Sequence, residues 1–149
     1  MAMIITEALR AEHVVFHNLF DHIERTLPKL RTLAEVHALA ALMHDLLVAH
    51  AKVEDELILE PLEHCIAQLG QQETFHQEHE EIDQSLKDTL TSTHVRNARK
   101  LLQTAVLASR THFDKEERLI FPMAEKLLKT QTLGILGESW RERREAITA

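Results

Sequence analysis

Residues that break helices are scarce in this chain. Glycine and proline each occur three times in 149 residues. The chain is instead rich in Leu, Ala, Glu, Gln, Lys and Arg, which favour helices. Few breakers exclude a sheet fold with many tight turns, and the composition predicts an all-α fold of long helices. The length suits one domain with a full core, so we treat residues 1–149 as a single domain.

Cysteine, tyrosine and excess positive charge are also lacking. The single cysteine, Cys65, excludes an intramolecular disulfide and a CxxC motif, so we expect a reducing, cytoplasmic location. Having no tyrosine, the chain has no tyrosyl radical relay. The net charge of −7 argues against a nucleic-acid partner, because phosphate binding needs a basic surface.

Signals for secretion and for membrane insertion are missing from the pattern. The first residues, MAMIITEALRAEH, lack the basic and apolar regions of a signal peptide. No uninterrupted apolar run approaches membrane-spanning length. We therefore expect no membrane partner.

Apolar residues recur at helical spacing in four long segments. These predicted helices run from about Thr6 to Thr26, from Thr32 to Glu60, from Gln72 to Thr91 and from Val95 to Phe121. Short connections favour antiparallel neighbours, so we predict an up-down four-helix bundle over about residues 4–129. A short C-terminal helix is expected at about residues 138–147, after Gly134 and Gly137.

Two local signals mark helix ends. Thr32 and Glu35 form a capping-box pattern, in which each side chain bonds the backbone N–H of the other residue. Pro61 should disturb the second helix, and Pro122 should kink or end the fourth.

Polar residues interrupt the apolar stripe of every predicted helix. The interrupting residues are His13, His50, Glu54, His79, His112 and Glu116. They stand out in a chain that has eleven histidines, because histidine is the commonest metal ligand among side chains.

The interruptions belong to an internal repeat. HAKVEDELI at 50–58 and HFDKEERLI at 112–120 share the pattern H-x-x-x-E-[DE]-x-L-I. The dipeptide Glu-His occurs at Glu12 and again at Glu78. The first and third helices therefore resemble each other, as do the second and fourth, which is typical of a bundle with a pseudo-twofold axis.

Buried carboxylates require a partner. An isolated buried carboxylate is strongly disfavoured, so it pairs with another group or changes its protonation. One interpretation is a metal-free His–Glu hydrogen-bond network, which would make the chain a structural helical interaction module whose polar core fixes the register. That network explains four imidazoles and two carboxylates poorly, whereas a bound cation neutralises the carboxylates and accepts the imidazole lone pairs.

The number of donors predicts two cations. Residues at i and i+4 lie about 40° apart on a helix, so the imidazole and carboxylate of each motif reach one point. Four imidazoles and two carboxylates exceed the needs of one tetrahedral zinc and suit two metals bridged by both carboxylates. Mixed N/O ligation favours iron, with manganese or zinc as substitutes.

The ordered set of these six residues on four helices resembles the hemerythrin-like (HHE cation-binding) domain family, over nearly the whole chain to about Lys129. The resemblance implies a non-heme di-iron centre with an oxo or hydroxo bridge. It assigns His13 and His50 to one iron, His79 and His112 to the other, and makes the two glutamates the bridging ligands. Family members bind dioxygen, sense oxygen or iron, handle nitric oxide, or act on peroxide.

Two departures from the oxygen-carrying members matter. Phe75 stands where they have a second histidine four residues before the counterpart of His79. They also carry an aspartate five residues after the last-helix histidine, where Glu117 stands here. Glu116 is preferred as the ligand, because i+5 is offset by about 140°. The missing ligand predicts two five-coordinate irons, each with an open position.

Several further residues have predicted roles. His17 and His76 lie beside the ligand positions and are candidates for an additional or supporting role. Glu12 and Glu78 are expected to form surface ion pairs. The segment WRERR, beginning at Trp140, interleaves acids with arginines and predicts a docking tail.

Two functions that use the metals follow from these residues. The first is binding or sensing of a small diatomic ligand, dioxygen or nitric oxide, at an open iron position. The second is a di-iron enzyme, a peroxidase or catalase-like protein acting on hydrogen peroxide. For the second, Asp55, Glu117 and His17 are the acid–base candidates.

Overall fold

Helices make up most of the described chain. The computed structural model describes residues 3–70 and 72–148, and no strand occurs in these two stretches, which confirms the all-α class. The α-helices are α1 (Ile5–Thr26), α2 (Leu33–Glu54), α3 (Glu63–Gln68), α4 (Gln72–Thr91), α5 (Val95–Lys115), α6 (Phe121–Leu127) and α7 (Thr130–Thr148). A 3-10 turn, Leu27–Lys29, follows α1.

The start of α2 shows why the predicted boundaries agree closely with the structure. The Thr32 hydroxyl accepts a hydrogen bond from the backbone N–H of Glu35, and the Glu35 carboxylate accepts one from the backbone N–H of Thr32. This capping box satisfies two backbone donors that the first helical turn leaves free. The predicted capping box is therefore confirmed.

Two π-helical segments overlap the second half of the repeated motif. Asp55–Leu59 continues α2 directly after Glu54, and Glu116–Ile120 continues α5 directly after Lys115. Their widened turns are closed by i→i+5 bonds, from the N–H of Glu60 to the Asp55 carbonyl and from the N–H of Phe121 to the Glu116 carbonyl. Such segments are frequent at functional sites, and the sequence analysis did not predict them.

Two apolar clusters fill the interior. The upper cluster is built around Phe20, Ile23, Val36, Met43, Leu86 and Leu102. The lower cluster is built around Ile5, Ile58, Leu62, Phe75, Ile120 and Leu133. The predicted polar residues lie between these clusters along the four long helices. Leu46 occupies an apolar position of the second predicted stripe and would be expected in the core, but its side chain is 44% exposed.

The C-terminal part is more helical than predicted. Pro122 lies in the first turn of α6 and does not end the helical stretch, because proline is tolerated where no N–H is needed. Gly134 and Gly137 lie inside α7 rather than before it. At Gly137 a Cβ atom would stand 1.9 Å from the Met3 carbonyl oxygen, so glycine allows α7 to pack closely against the backbone that leads into α1.

One helical stretch differs from the sequence expectation about membranes. Leu33–Leu59 covers 27 residues and contains an 18-residue window with a mean hydropathy of 1.2, which by length and composition is enough to cross a membrane. Core helices meet the same criterion. This stretch buries Val36, Met43 and Val53, so its inner face belongs to the core.

Candidate metal centre

The fold brings all six predicted site residues together between the two apolar clusters. The side chains of His13, Glu54 and Glu116 are fully buried. His50 and His112 are 3% and 2% exposed, whereas His79 is 19% exposed. One side of the centre is thus closed, and the other, at His79, reaches the surface.

The donor atoms form two groups that share both carboxylates. In each group the ligand atoms lie within 4.8 Å of one another. The first group is His13, His50, Glu54 and Glu116. The second group is Glu54, His79, His112 and Glu116. This is the arrangement that two cations bridged by two carboxylates require.

Most separations between these atoms are too long for hydrogen bonds, although Nε2 of His50 lies 3.1 Å from Oε2 of Glu54. Nε2 of His13 lies 3.7 Å from Oε2 of Glu54 and 3.5 Å from Oε1 of Glu116. Nε2 of His112 lies 3.5 Å from Oε2 of Glu116. Hydrogen bonds of this kind are about 2.7–3.2 Å long, whereas two ligands about 2.0–2.2 Å from one metal lie about 3–3.5 Å apart.

The same atoms lack hydrogen-bond partners within the described part of the chain. They are Nε2 of His13, His50 and His112 and both carboxylate oxygens of Glu54 and Glu116. Unpaired buried polar atoms are costly, and here all of them converge on one small volume. The set therefore fits cations, and it contains only nitrogen and oxygen donors.

The Nδ1 atoms of two histidines, which point away from the centre, donate hydrogen bonds to carboxylates that were expected on the surface. Glu12 accepts a hydrogen bond from Nδ1 of His50 at 2.8 Å, and Glu78 accepts one from Nδ1 of His112 at 2.7 Å. The two glutamates form the expected ion pairs, Glu12 with Arg144 and Glu78 with Lys115, but both carboxylates are partly buried and also bond a histidine of the donor set. Such outer partners fix the ring orientation and raise the basicity of the inward nitrogen.

The second acid of each repeat faces the outer nitrogen of a histidine on another helix. Asp55 Oδ1 lies 3.6 Å from Nδ1 of His79, and Glu117 Oε1 lies 3.8 Å from Nδ1 of His13. All four histidines thus have a carboxylate near Nδ1 and present Nε2 to the centre. A π-helical turn begins at Asp55 in one repeat and at Glu116 in the other, so each second acid belongs to a widened turn.

Electrostatics in the metal-free site reflect two buried carboxylates side by side. Burial and the charge of Glu54 raise the pKa of Glu116 well above its usual value. Burial lowers the pKa of His50, but the charge of Glu54 and the hydrogen bond to Glu12 outweigh it and raise the pKa to about 9. Burial and the charge of His79 lower the pKa of His112 to about 4. A cation would offset the repulsion between the two carboxylates.

The family comparison agrees with the donor set. The model of the hemerythrin HHE cation-binding domain matches residues 4–124. The chain belongs to the hemerythrin family. No curated protein and no solved structure matches it. This hemerythrin domain therefore combines a cation-binding family assignment with a His/Glu cluster that could hold metal.

The remaining candidate histidines lie outside both donor groups in the described residues. His17 accepts a hydrogen bond from Arg110 at 2.9 Å through its Nδ1 atom, so it is occupied away from the centre. His76 is exposed. Phe75, at the position of the absent histidine, is buried with its ring centroid 5.8 Å from that of His112.

A groove between α2 and α4 leads to the open side of the hemerythrin centre. Its volume is about 540 Å³. Apolar side chains of Leu47, Val48 and Ile82 line it, and His79 lies in its wall. The pKa of Asp55, which also lines the groove, is raised by burial. A small ligand can reach the His79 half of the site by this route.

Apolar rings close the other half. The His13 ring stacks on Phe113, with centroids 3.9 Å apart and an interplanar angle of 4°. Phe16 lies edge-on to His50 at 5.2 Å. These contacts hold the two imidazoles in place and keep water from them. Periodicity identified the donor residues of this cluster, but it gave no signal for which apolar residues would contact them.

Proposed function

We propose that this hemerythrin domain holds two iron ions and binds or senses a small diatomic ligand, dioxygen or nitric oxide. One observation carries the proposal: two groups of four nitrogen and oxygen donors share Glu54 and Glu116. His13 and His50 would hold one ion, His79 and His112 the other, and the two glutamates would bridge them. Iron is preferred over manganese and zinc for this mixed set of donors.

The number of donors supports ligand binding. Each ion would receive two imidazoles and two shared carboxylates, and Phe75 contributes no donor where oxygen carriers have a histidine. When bound, iron supplies a redox-active cation with coordination positions that a small ligand can occupy. The groove beside His79 gives the ligand a path, and the apolar rings around His13 limit the access of water.

The apolar clusters support the bundle topology that this centre needs. The helices α1 and α4 begin in the lower cluster and end in the upper one. In contrast, α2 and the stretch formed by α5 with its π-helical continuation run from the upper to the lower cluster. We infer an up-down antiparallel arrangement from this alternation. It places the middle of each helix, where the ligands occur, at one level.

Peroxide chemistry is the second candidate, and Asp55 is the observation that favours it. This half-buried carboxyl lines the groove, lies 3.6 Å from Nδ1 of His79, and has an oxygen without a hydrogen-bond partner in the described residues. Its raised pKa suits a group that takes up and returns a proton. It could act on a peroxide molecule in the groove.

Metal analysis and ligand titration test these functions. Protein produced with iron should contain two irons per chain and show the absorption of a bridged di-ferric centre. A reversible optical change with dioxygen or nitric oxide supports the first function, and oxygen release or peroxide turnover supports the second. Protein that takes up no iron, and whose stability is unaffected by His50→Ala, would instead be a metal-free structural module.

A further inference from the structure

The C-terminal helix reaches the metal centre from outside the family match. The match ends at residue 124, whereas α7 begins at Thr130. Trp140 donates a hydrogen bond from Nε1 to Oε2 of Glu12 at 2.6 Å. Arg144 donates to both oxygens of Glu12, at 2.6 Å from Nε and at 2.9 Å from Nη2. Glu12 in turn accepts the Nδ1 hydrogen of His50, so two residues link α7 to a ligand.

The docking of α7 is specific. Leu133 is buried in the lower cluster, and Arg143 pairs with Glu56 at the π-helical segment after α2. The helix also passes close to Met3 at Gly137, where a Cβ atom would meet the backbone. The position of Arg144 and Trp140 is therefore set by contacts along the whole length of α7.

The two halves of the centre differ in which helix holds the carboxylate that bonds the outer histidine nitrogen. On the other half, Glu78 braces His112 and is itself held by Lys115, which belongs to the bundle helix α5. Among the described residues, α7 holds only one of these two carboxylates, which is Glu12 of the His13–His50 half. That half is also the more buried one, because His13 and His50 are 0% and 3% exposed whereas His79 is 19% exposed, although His50 also lines the groove.

We propose that α7 is a positioning element for the His13–His50 half, and that its docking and metal occupancy of that half stabilise each other. This inference rests on the proposed metal binding. With Arg144 and Trp140 in place, Glu12 is fixed between three donors and can aim Nε2 of His50 at one point. Without them, Glu12 turns toward solvent and His50 loses its brace. Because coupling is reciprocal, a metal that fixes His50 also holds α7 through Glu12.

Side-chain variants of α7 test the coupling. Trp140→Phe keeps an aromatic ring and removes the N–H that bonds Glu12. Arg144→Gln removes the two guanidinium N–H groups that bond the same carboxylate. Titration of metal-free protein with cobalt(II), followed by its visible absorption, should show two binding steps in the wild type. Each variant should weaken one step by about 10- to 100-fold and leave the other unchanged. Arg144→Lys should recover part of the loss.

A backbone variant tests docking without touching the network. Gly137→Ala should displace α7 and weaken the same single step, because a Cβ atom there meets the Met3 carbonyl. Gly134→Ala is the matched control, since nothing lies within 4 Å of a Cβ at that position. Arg141→Gln is a second control, because Arg141 pairs with Glu138 and Glu145 on its own helix. Both control variants should show two cobalt(II) binding steps with the affinities of the wild type.

Hydrogen exchange supplies an independent measurement. Cobalt(II) should slow amide exchange in α7 of the wild type and of Arg141→Gln, but not of Arg144→Gln. Unchanged affinities in all three test variants would overturn the inference, and so would equal weakening of both steps. Wild-type protein that binds fewer than two ions would instead refute the proposed two-metal function, and the coupling with it.

Discussion

Glu12 accepts a hydrogen bond from Nδ1 of His50 at 2.8 Å across 38 residues of sequence. A carboxylate only accepts, so a ring hydrogen lies on Nδ1 and Nε2 faces the centre, where a cation that displaces its proton would take the lone pair. Glu78 fixes His112 in the same way. The Glu-His dipeptide of α1, like that of α4, therefore supplies one inward histidine and one brace for a histidine on another helix.

The shared carboxylates should matter more than their neighbours. Glu116 belongs to both donor groups, whereas Glu117 approaches only the outer nitrogen of His13. We expect Glu116→Gln, which keeps the shape but removes the charge, to abolish binding of both ions. Glu117→Gln should keep two ions per chain with modestly reduced affinity. Elemental analysis of the two variants checks this, and equal metal loss in both would contradict the assignment of Glu116 as the bridge.

The groove should control ligand access and not metal content. Val48 lines the groove and is 50% exposed, so Val48→Trp should fill part of it without disturbing the core. We expect the association rate of nitric oxide with the iron-loaded protein to fall at least several-fold. Val15→Trp, at an exposed position on α1, is the matched control. Stopped-flow absorption measures the rates, and an unchanged rate for Val48→Trp would mean that ligands enter elsewhere.

Stability of the metal-free protein should depend on pH through His50. Its pKa rises from 6.5 to about 9 in the fold, because Glu54 and Glu12 outweigh the effect of burial. The folded state binds this proton more tightly than the unfolded chain, so the contribution is full below pH 6.5 and disappears as the pH approaches 9. The pKa of His112 is lowered to about 4, so this residue changes the free energy of unfolding only between about pH 4 and 6.5.

Urea denaturation of the metal-free protein should therefore show a free energy of unfolding that decreases by up to a few kcal/mol between pH 6.5 and 9. A His50→Gln variant should lose much of this dependence. Zinc-loaded protein should also lose it, because a cation replaces the proton. A wild-type stability that is constant over this range would show that the His50 proton is not retained in the fold.

The two glycines of α7 should respond oppositely to alanine. Gly134→Ala is expected to stabilise the protein by about 0.5–1 kcal/mol, because alanine costs less backbone entropy in a helix. Gly137→Ala is expected to destabilise it, since the new methyl group would lie 1.9 Å from the Met3 carbonyl oxygen. Thermal or urea unfolding measures both changes. Stabilisation by both substitutions would show that α7 does not pack closely on the start of the chain.

The capping box gives a third stability test. Thr32→Ala removes the side-chain acceptor of the Glu35 backbone N–H and should cost about 1 kcal/mol. Thr104→Ala is the control, because Thr104 is exposed inside α5 and bonds only the carbonyl of Lys100. That change should be neutral or slightly stabilising. A Thr32→Ala protein as stable as the wild type would show that α2 does not need its cap.

The sequence by itself determined the helical class, the main helix ends and the donor set. Helical spacing is a local property, so a stripe that breaks at His50 and Glu54 already says which side chains face inward. Helix capping is equally local, as Thr32 and Glu35 show. The family resemblance of the motif was confirmed by the match over residues 4–124.

Only the tertiary structure decided what surrounds the ligands. Glu12 meets His50 across 38 residues and Arg144 across 132, and no local pattern records which helices will lie side by side. The π-helical turns could not be predicted from the sequence either. On a regular helix, an acid five residues after the histidine points away from the site. Packing of α2, α4 and α7 set the brace, the groove and the closed side, because these depend on distances between helices.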